Sequence, residues 1–136
     1  MSFSRLLALD YGQKRIGVAI SDALGMTAQP KPFIENTSDV INKISELIKD
    51  NEISKLYLGL PQHTKGGETK KSEEVRAFAD KLRLVISIDI EFIDERFSTV
   101  AATRQLDAAG LNRKKQRSLI DSQAAAFLLQ GILDKT

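Results

Sequence analysis

The chain has no cysteine and a single histidine, His63, in 136 residues. The first absence excludes disulfides, thiolate metal sites and a cysteine nucleophile. The second excludes multi-histidine metal centres, so any acid–base or metal chemistry falls to carboxylates. No apolar run approaches the length of a bilayer crossing, and membranes are not an expected partner. The passage from Met1 to a first strand within a few residues leaves no space for a signal peptide, and the expected location is the cytoplasm. Neither sign of charge dominates. The net charge of +2 permits a nucleic-acid partner but falls short of a basic footprint by itself. What remains is ordinary: 42% hydrophobic and 28% charged residues, without repeats or low-complexity tracts, fit one domain over residues 1–136 with its own core.

The organising stretch is Leu6 to Asp22. A continuous apolar run from Leu6 to Leu9 suits a strand buried on both faces, and it ends abruptly in Asp10 with Gly12 just beyond. A second run, Ile16 to Ile20, follows after room for only a tight turn. The pattern predicts a β-hairpin that delivers Asp10 to the end of a sheet. Turn chemistry alone also explains Asp-x-Gly, so the hairpin by itself leaves Asp10 open.

Downstream, Pro30 and Pro32 place Gly25–Asn36 as an antiparallel edge strand, because proline cannot donate to a ladder. Ser38 is the expected cap of a helix with Asp39 in its first turn and Val40, Ile41, Ile44, Leu47 and Ile48 as its apolar stripe. Leu56–Leu60 reads as a buried strand and Gln62–Lys71 as a polar loop. The next helix carries Glu73 and Glu74 near its start, with Val75, Phe78, Ala79 and Leu82 facing inward. Ile86–Ile93 is the last expected strand, running into Asp94-Glu95-Arg96. A helix from Ser98 to Gly110, a basic linker with Arg113, Lys114, Lys115 and Arg117, and an apolar helix from about Gln116 to Asp134 complete the chain. This order predicts an α/β fold: a mixed five-stranded sheet, three antiparallel strands followed by parallel additions, flanked by helices.

In such sheets, sites gather beyond the carboxyl ends of the parallel strands. Asp10 and the Asp94-Glu95 pair both stand at such ends, and alternation does not decide which of the latter points inward. Asp121 shares a helix side with Ala124, Ala125, Leu128 and Ile132, so its carboxylate falls in an apolar stripe. A buried carboxylate must pair, neutralise or bind a cation; an ion pair with Arg117 or a favourable helix-start position are the bland alternatives. Three converging acids without histidine or cysteine make a hard, oxygen-only site suited to Mg²⁺ or Mn²⁺. Two such ions can activate a water and stabilise the leaving oxygen of a phosphodiester.

Four segments carry a resemblance. Leu9-Asp10-Tyr11-Gly12 with Lys14-Arg15-Ile16-Gly17-Val18-Ala19, then Gly59-Leu60-Pro61 followed by Gly66-Gly67, then Asp94-Glu95-Arg96-Phe97-Ser98-Thr99, then Ile120-Asp121-Ser122-Gln123-Ala124-Ala125 occur in order. Together they resemble the YqgF (RuvX) family of RNase H-like nucleases from about Leu6 to Leu133. The resemblance implies an RNase H-like fold with catalytic, metal-holding acids at Asp10, Glu95 and Asp121, so it selects Glu95 over Asp94. It implies Asp10 bridging two Mg²⁺ or Mn²⁺ ions, with the other two acids completing their shells. The implied activity is processing of the 5′ end of pre-16S ribosomal RNA or resolution of Holliday junctions, leaving 5′-phosphate and 3′-hydroxyl ends. Two departures stand out. Gln62-His63-Thr64 occupies a place where an Asn-containing run is expected, and Ala124 stands where related resolvases often carry a fourth acid.

Lys14, Arg15, Lys65, Lys70, Lys71, Arg96, Arg113, Lys114 and Lys115 are the candidate nucleic-acid contacts, positioning a backbone through phosphates without reading sequence. A symmetric junction substrate favours a weak two-fold dimer, whereas an RNA end-trimmer can act as a monomer. Two rival readings belong to other classes. Asp-x-Gly before a basic residue also resembles the phosphate loop of actin/sugar-kinase ATPases, which need two such domains. A non-catalytic nucleic-acid-binding module is the other.

Overall fold

The computed structural model describes residues 4–60, 70–94 and 113–134, with side chains described in the last segment from Ser122 onward. Five strands form one sheet: β1 (Arg5–Asp10), β2 (Arg15–Ser21), β3 (Ala28–Glu35), β4 (Ile53–Leu60) and β5 (Asp89–Asp94). Three helices are described, α1 (Val40–Asp50), α2 (Lys70–Arg83) and α3 (Arg113–Asp134). The spatial order is β3-β2-β1-β4-β5. β1 pairs antiparallel with β2 and β2 with β3, whereas β4 joins β1 and β5 joins β4 in parallel. The mixed sheet read from the sequence is therefore the observed one.

Strand alternation divides the core into two layers. Leu7, Leu9, Ile16, Val18, Ile20, Leu56, Leu58 and Leu60 pack on one face with α1 and α2 residues, among them Ile44, Val75, Phe78 and Leu82. Residues of opposite parity, Ala8, Ala19 and Tyr57, pack on the other face with Ala125, Ala126, Leu129 and Leu133 of α3. The α1/α2 layer is built of large aliphatic side chains, whereas the α3 layer mixes alanines with Tyr57, Leu129 and Leu133.

Several local expectations are corrected. Ser38 does not cap α1: the N-cap residue is Asp39, which makes no capping hydrogen bond through its side chain. Its carboxylate instead accepts from the Thr37 hydroxyl and pairs with Lys43 at 3.7 Å, one turn along. Lys70 and Lys71 belong to α2, not to the preceding loop. β4 begins earlier, at Ile53, and β5 later, at Asp89. The basic segment Arg113–Arg117 is the opening of α3, because arginine, lysine and glutamine are good helix formers once packing downstream nucleates the helix. The expected helix over 98–110 and the Gly66-Gly67 loop lie outside the described residues.

Candidate functional site

The parallel pairing of β1, β4 and β5 puts their carboxyl ends together. Leu9, Leu58 and Phe92 form one row of Cα partners. The next row brings Asp10 level with Gly59, whose partner in β5 is Ile93. On its other side Asp10 pairs with Gly17 of β2. Asp10 shares the parity of Ala8, Gly17 that of Ala19, and Gly59 that of Tyr57, all in the α3 layer. The carboxylate thus projects to the α3 side between two residues that have no side chain. Sequence reasoning named both glycines only as parts of motifs. Their position inside otherwise apolar strands is the signal, since glycine there marks a close approach to the backbone.

The turn after Asp10 is held tightly. A Cβ on Gly12 would lie 2.4 Å from the carbonyl oxygen of Arg15, so only glycine fits. The Asn36 side-chain amide donates to the Gly12 carbonyl at 2.9 Å, and the Asn36 backbone N–H donates to Lys14 at 2.9 Å. Tyr11 turns to the opposite face, its ring centroid 4.9 Å from that of Phe78. The half-buried Asp10 is therefore fixed by its neighbours on both sides.

Hydrogen bonds along α3 give its direction. Ser122 Oγ accepts from the Val18 N–H at 3.2 Å, and Val18 lies opposite Leu9. Farther along, the Gln130 amide oxygen accepts from the Ala28 N–H at 2.9 Å, and Ala28 pairs with Ser21, whose hydroxyl accepts from the Leu6 N–H. The helix therefore runs opposite to β1, with its N-terminal half toward the Asp10 end. Asp121 is the helical residue immediately before Ser122, so its backbone falls near the level of Asp10.

The acids differ in how far they are placed. Asp94 ends β5 opposite Leu60, is exposed, and shares the parity of Phe92 in the α1/α2 layer, away from Asp10. β5 lies two strand spacings from β1, about 10 Å. Glu95 and the side chain of Asp121 lie outside the described residues, and among the described residues no three acids or histidines form a metal-sized group.

Of the basic candidates, Lys14, Lys70 and Lys71 come together. With Gln13 and Glu74 they line a cleft of about 550 Å³ between the β1–β2 turn and α2, at the same end of the sheet as Asp10. Gln13 Nε2 donates to both carboxylate oxygens of Glu74, at 3.3 and 3.4 Å, within that cleft. Arg15 is exposed at the start of β2, its guanidinium 5.3 Å above the Phe33 ring. Lys65 and Arg96 lie outside the described residues, and Arg113, Lys114 and Lys115 occupy the first turn of α3.

Solved structures with this architecture define its class. The chain aligns with RuvC of T. thermophilus in complex with a Holliday junction substrate at TM-score 0.57 and 11% identity, covering 97% of this chain and 94% of that one. It aligns with the fowlpox virus Holliday junction resolvase at TM-score 0.58 and 11% identity, covering 97% and 99%. The fold is that of the RNase H-like resolvases and nucleases. Within that class the chain belongs to the RuvX family, whose model, described as "Holliday junction resolvase", matches residues 4–135. A Sulfurihydrogenibium protein named "Putative pre-16S rRNA nuclease" is 45% identical over 134 residues, spanning 97% of this chain and 91% of that protein. A Bacillus cereus protein of the same name is 41% identical over 135 residues, spanning 96% and 98%. Among the described residues no helix is long and apolar enough to cross a membrane.

Proposed function

We propose that the chain is a cytoplasmic, divalent-metal-dependent endonuclease that hydrolyses phosphodiester bonds at the 5′ end of pre-16S ribosomal RNA. The observation that carries this reading is Asp10, held at the carboxyl end of a central strand between Gly17 and Gly59 and facing the helix that bears Asp121. Glu95, the residue that follows β5, is the third acid, as the family resemblance implies; in β5 itself Ile93 belongs to the α3 layer. Asp94 has the other parity.

The donor chemistry suits a hard cation, since carboxylates are the candidate ligands and the chain has no thiol. Asp10, Glu95 and Asp121 would hold one or two Mg²⁺ or Mn²⁺ ions, which supply charge neutralisation and a more acidic attacking water. Lys14, Lys70 and Lys71 provide a cationic cleft for flanking phosphates, as do the cations in the first turn of α3. These contacts position the backbone and leave sequence unread.

The pre-16S activity comes from the names of the relatives at 41–45% identity. A second reading, resolution of four-way DNA junctions, is favoured by the family description and the fold neighbours. One experiment separates them. Wild type and Asp10→Asn are compared on a labelled pre-16S 5′-leader RNA and a four-way DNA junction, each with Mg²⁺, Mn²⁺ or EDTA. Metal-dependent cuts in the RNA that fall to background in Asp10→Asn are expected. Preferential cutting of the junction establishes the second reading. A folded, fully active Asp10→Asn sinks the site, and tight binding without cuts by wild type identifies a non-catalytic module.

A further inference from the structure

Ser122 is fully buried, and both capacities of its hydroxyl are in use. It accepts from the Val18 N–H at 3.2 Å and donates to the Lys31 carbonyl at 2.6 Å. Val18 and Lys31 are Cα partners across β2 and β3, at the place where the ladder register shifts between Ile16 and Val18. Pro32, next along β3, has no N–H to contribute there. One hydroxyl from α3 therefore engages two strands at once, where the ladder itself is irregular. About two helical turns farther along, Gln130 makes the corresponding pair of contacts. It accepts from the Ala28 N–H at 2.9 Å and donates to the Met26 carbonyl at 3.1 Å. Two polar anchors, directional where apolar contacts are not, fix both the rotation and the axial position of a helix whose apolar contacts to the sheet are made by Ala125, Ala126, Leu129 and Leu133.

The anchors differ in what they adjoin. Gln130 lies toward the far end, whereas Ser122 directly follows Asp121. We propose that Ser122 is a positioning residue: its two-strand hydrogen bond sets where α3 presents residue 121 relative to Asp10. The inference rests on the reading of Asp10 and Asp121 as acids that hold a divalent cation. A misplacement of about 1 Å at such a site can cost on the order of 10²-fold in rate. Loss of groups that orient metal ligands typically costs about 10–100-fold in metal affinity or activity.

The test uses the full chain with Ser122→Ala, Ser122→Thr and Gln130→Ala. Melting temperature, Mn²⁺ binding by calorimetry without nucleic acid, and kcat and KM on the cleaved substrate are measured. Both alanine variants are expected to fold and to melt below wild type. Only Ser122→Ala should bind Mn²⁺ about tenfold or more weakly and lose kcat, with KM for nucleic acid unchanged. Ser122→Thr, which keeps the hydroxyl, should recover Mn²⁺ affinity; if its extra methyl prevents folding, the contrast between the two alanine variants decides. Wild-type Mn²⁺ affinity and kcat in Ser122→Ala overturn the proposal. So does an equal loss of Mn²⁺ affinity in Gln130→Ala, which would reduce the effect to general loosening of α3. Asp10→Asn in the same titration keeps the two ideas apart. If it binds Mn²⁺ like wild type, the acidic site itself is wrong; if it loses Mn²⁺ while Ser122→Ala does not, the anchor alone is wrong.

Discussion

Asp10 is flanked on the neighbouring strands by two buried glycines, Gly17 and Gly59, and their lack of side chains has consequences. Ordinarily, glycine within a strand is destabilising by roughly 0.5–1 kcal/mol relative to alanine, through backbone entropy. Glycine at position 59 is explained if the strand backbone there is closely approached. Gly59→Ala is therefore expected to leave the protein folded and to cut cleavage by at least about tenfold by crowding the surroundings of Asp10. Parallel melting and cleavage assays check it; full activity would show that the glycine beside Asp10 is not needed. The same residues show what the sequence could convey. Asp10 was legible because a carboxylate ending an apolar run is conspicuous. The distinction between Asp94 and Glu95 was not legible from alternation, because parity has no meaning until one knows which face carries α3. That information lies in Ala8, Ala19 and Tyr57 packing against Ala125 and Leu129, a long-range arrangement that no local pattern announces.

Among the elements, the β2–β3 connection joins backbone hydrogen bonds to those of one side chain, Asp22. Asp22 accepts from the Met26 N–H at 2.8 Å and from the Thr27 hydroxyl at 3.0 Å, while Gly25 supplies a φ of +72°. The Met26 N–H bond, followed by burial acting the other way and the Thr27 hydroxyl, leaves the Asp22 carboxyl below the usual aspartate range. A lowered folded-state value means the carboxylate stabilises the turn above the unfolded value, and that this contribution is lost as pH falls through the folded one. Acidification below the ordinary aspartate range should therefore accelerate exchange of the Met26 amide, seen by NMR, and Asp22→Ala should show fast exchange at every pH. Turns of this kind are readable from Asp and Gly. The helix starts were harder. Asp39 outcompeted Ser38 as the N-cap residue, and Arg113–Arg117 became helix because packing from Ser122 onward stabilises the turns before it. Neither outcome can be decided by residues three or four positions away.

For the molecule as a whole, topology gathers the candidate site at one end. The carboxyl ends of β1 and β4, the cleft of Lys14, Lys70 and Lys71, and the first turn of α3 all lie there, although the net charge is only +2. A net charge cannot show that three lysines share one cleft, which is why composition could permit nucleic acid without pointing to it. Each phosphate neutralised by a cation contributes about 0.7 (single strand) to 0.9 (duplex) to the slope of log affinity against log salt. Replacing Lys14, Lys70 and Lys71 together by alanine should lower that slope by roughly 2 to 3 and weaken binding evenly across sequences, as equilibrium binding at several salt concentrations would reveal. An unchanged slope would remove this cleft from the substrate path.

The two core layers of the sheet differ in side-chain size, and the one that holds four alanines lies between the two halves of the proposed centre. Ala8 and Ala19 below and Ala125 and Ala126 above act as a spacer gauge, setting the clearance between the strand that carries Asp10 and the helix that carries Asp121. A larger residue at any of these four positions must displace its neighbours, since close-packed interiors cannot absorb the volume. The tolerance of the proposed centre is thus machined into four of the smallest side chains in the chain, none of which has any chemistry of its own.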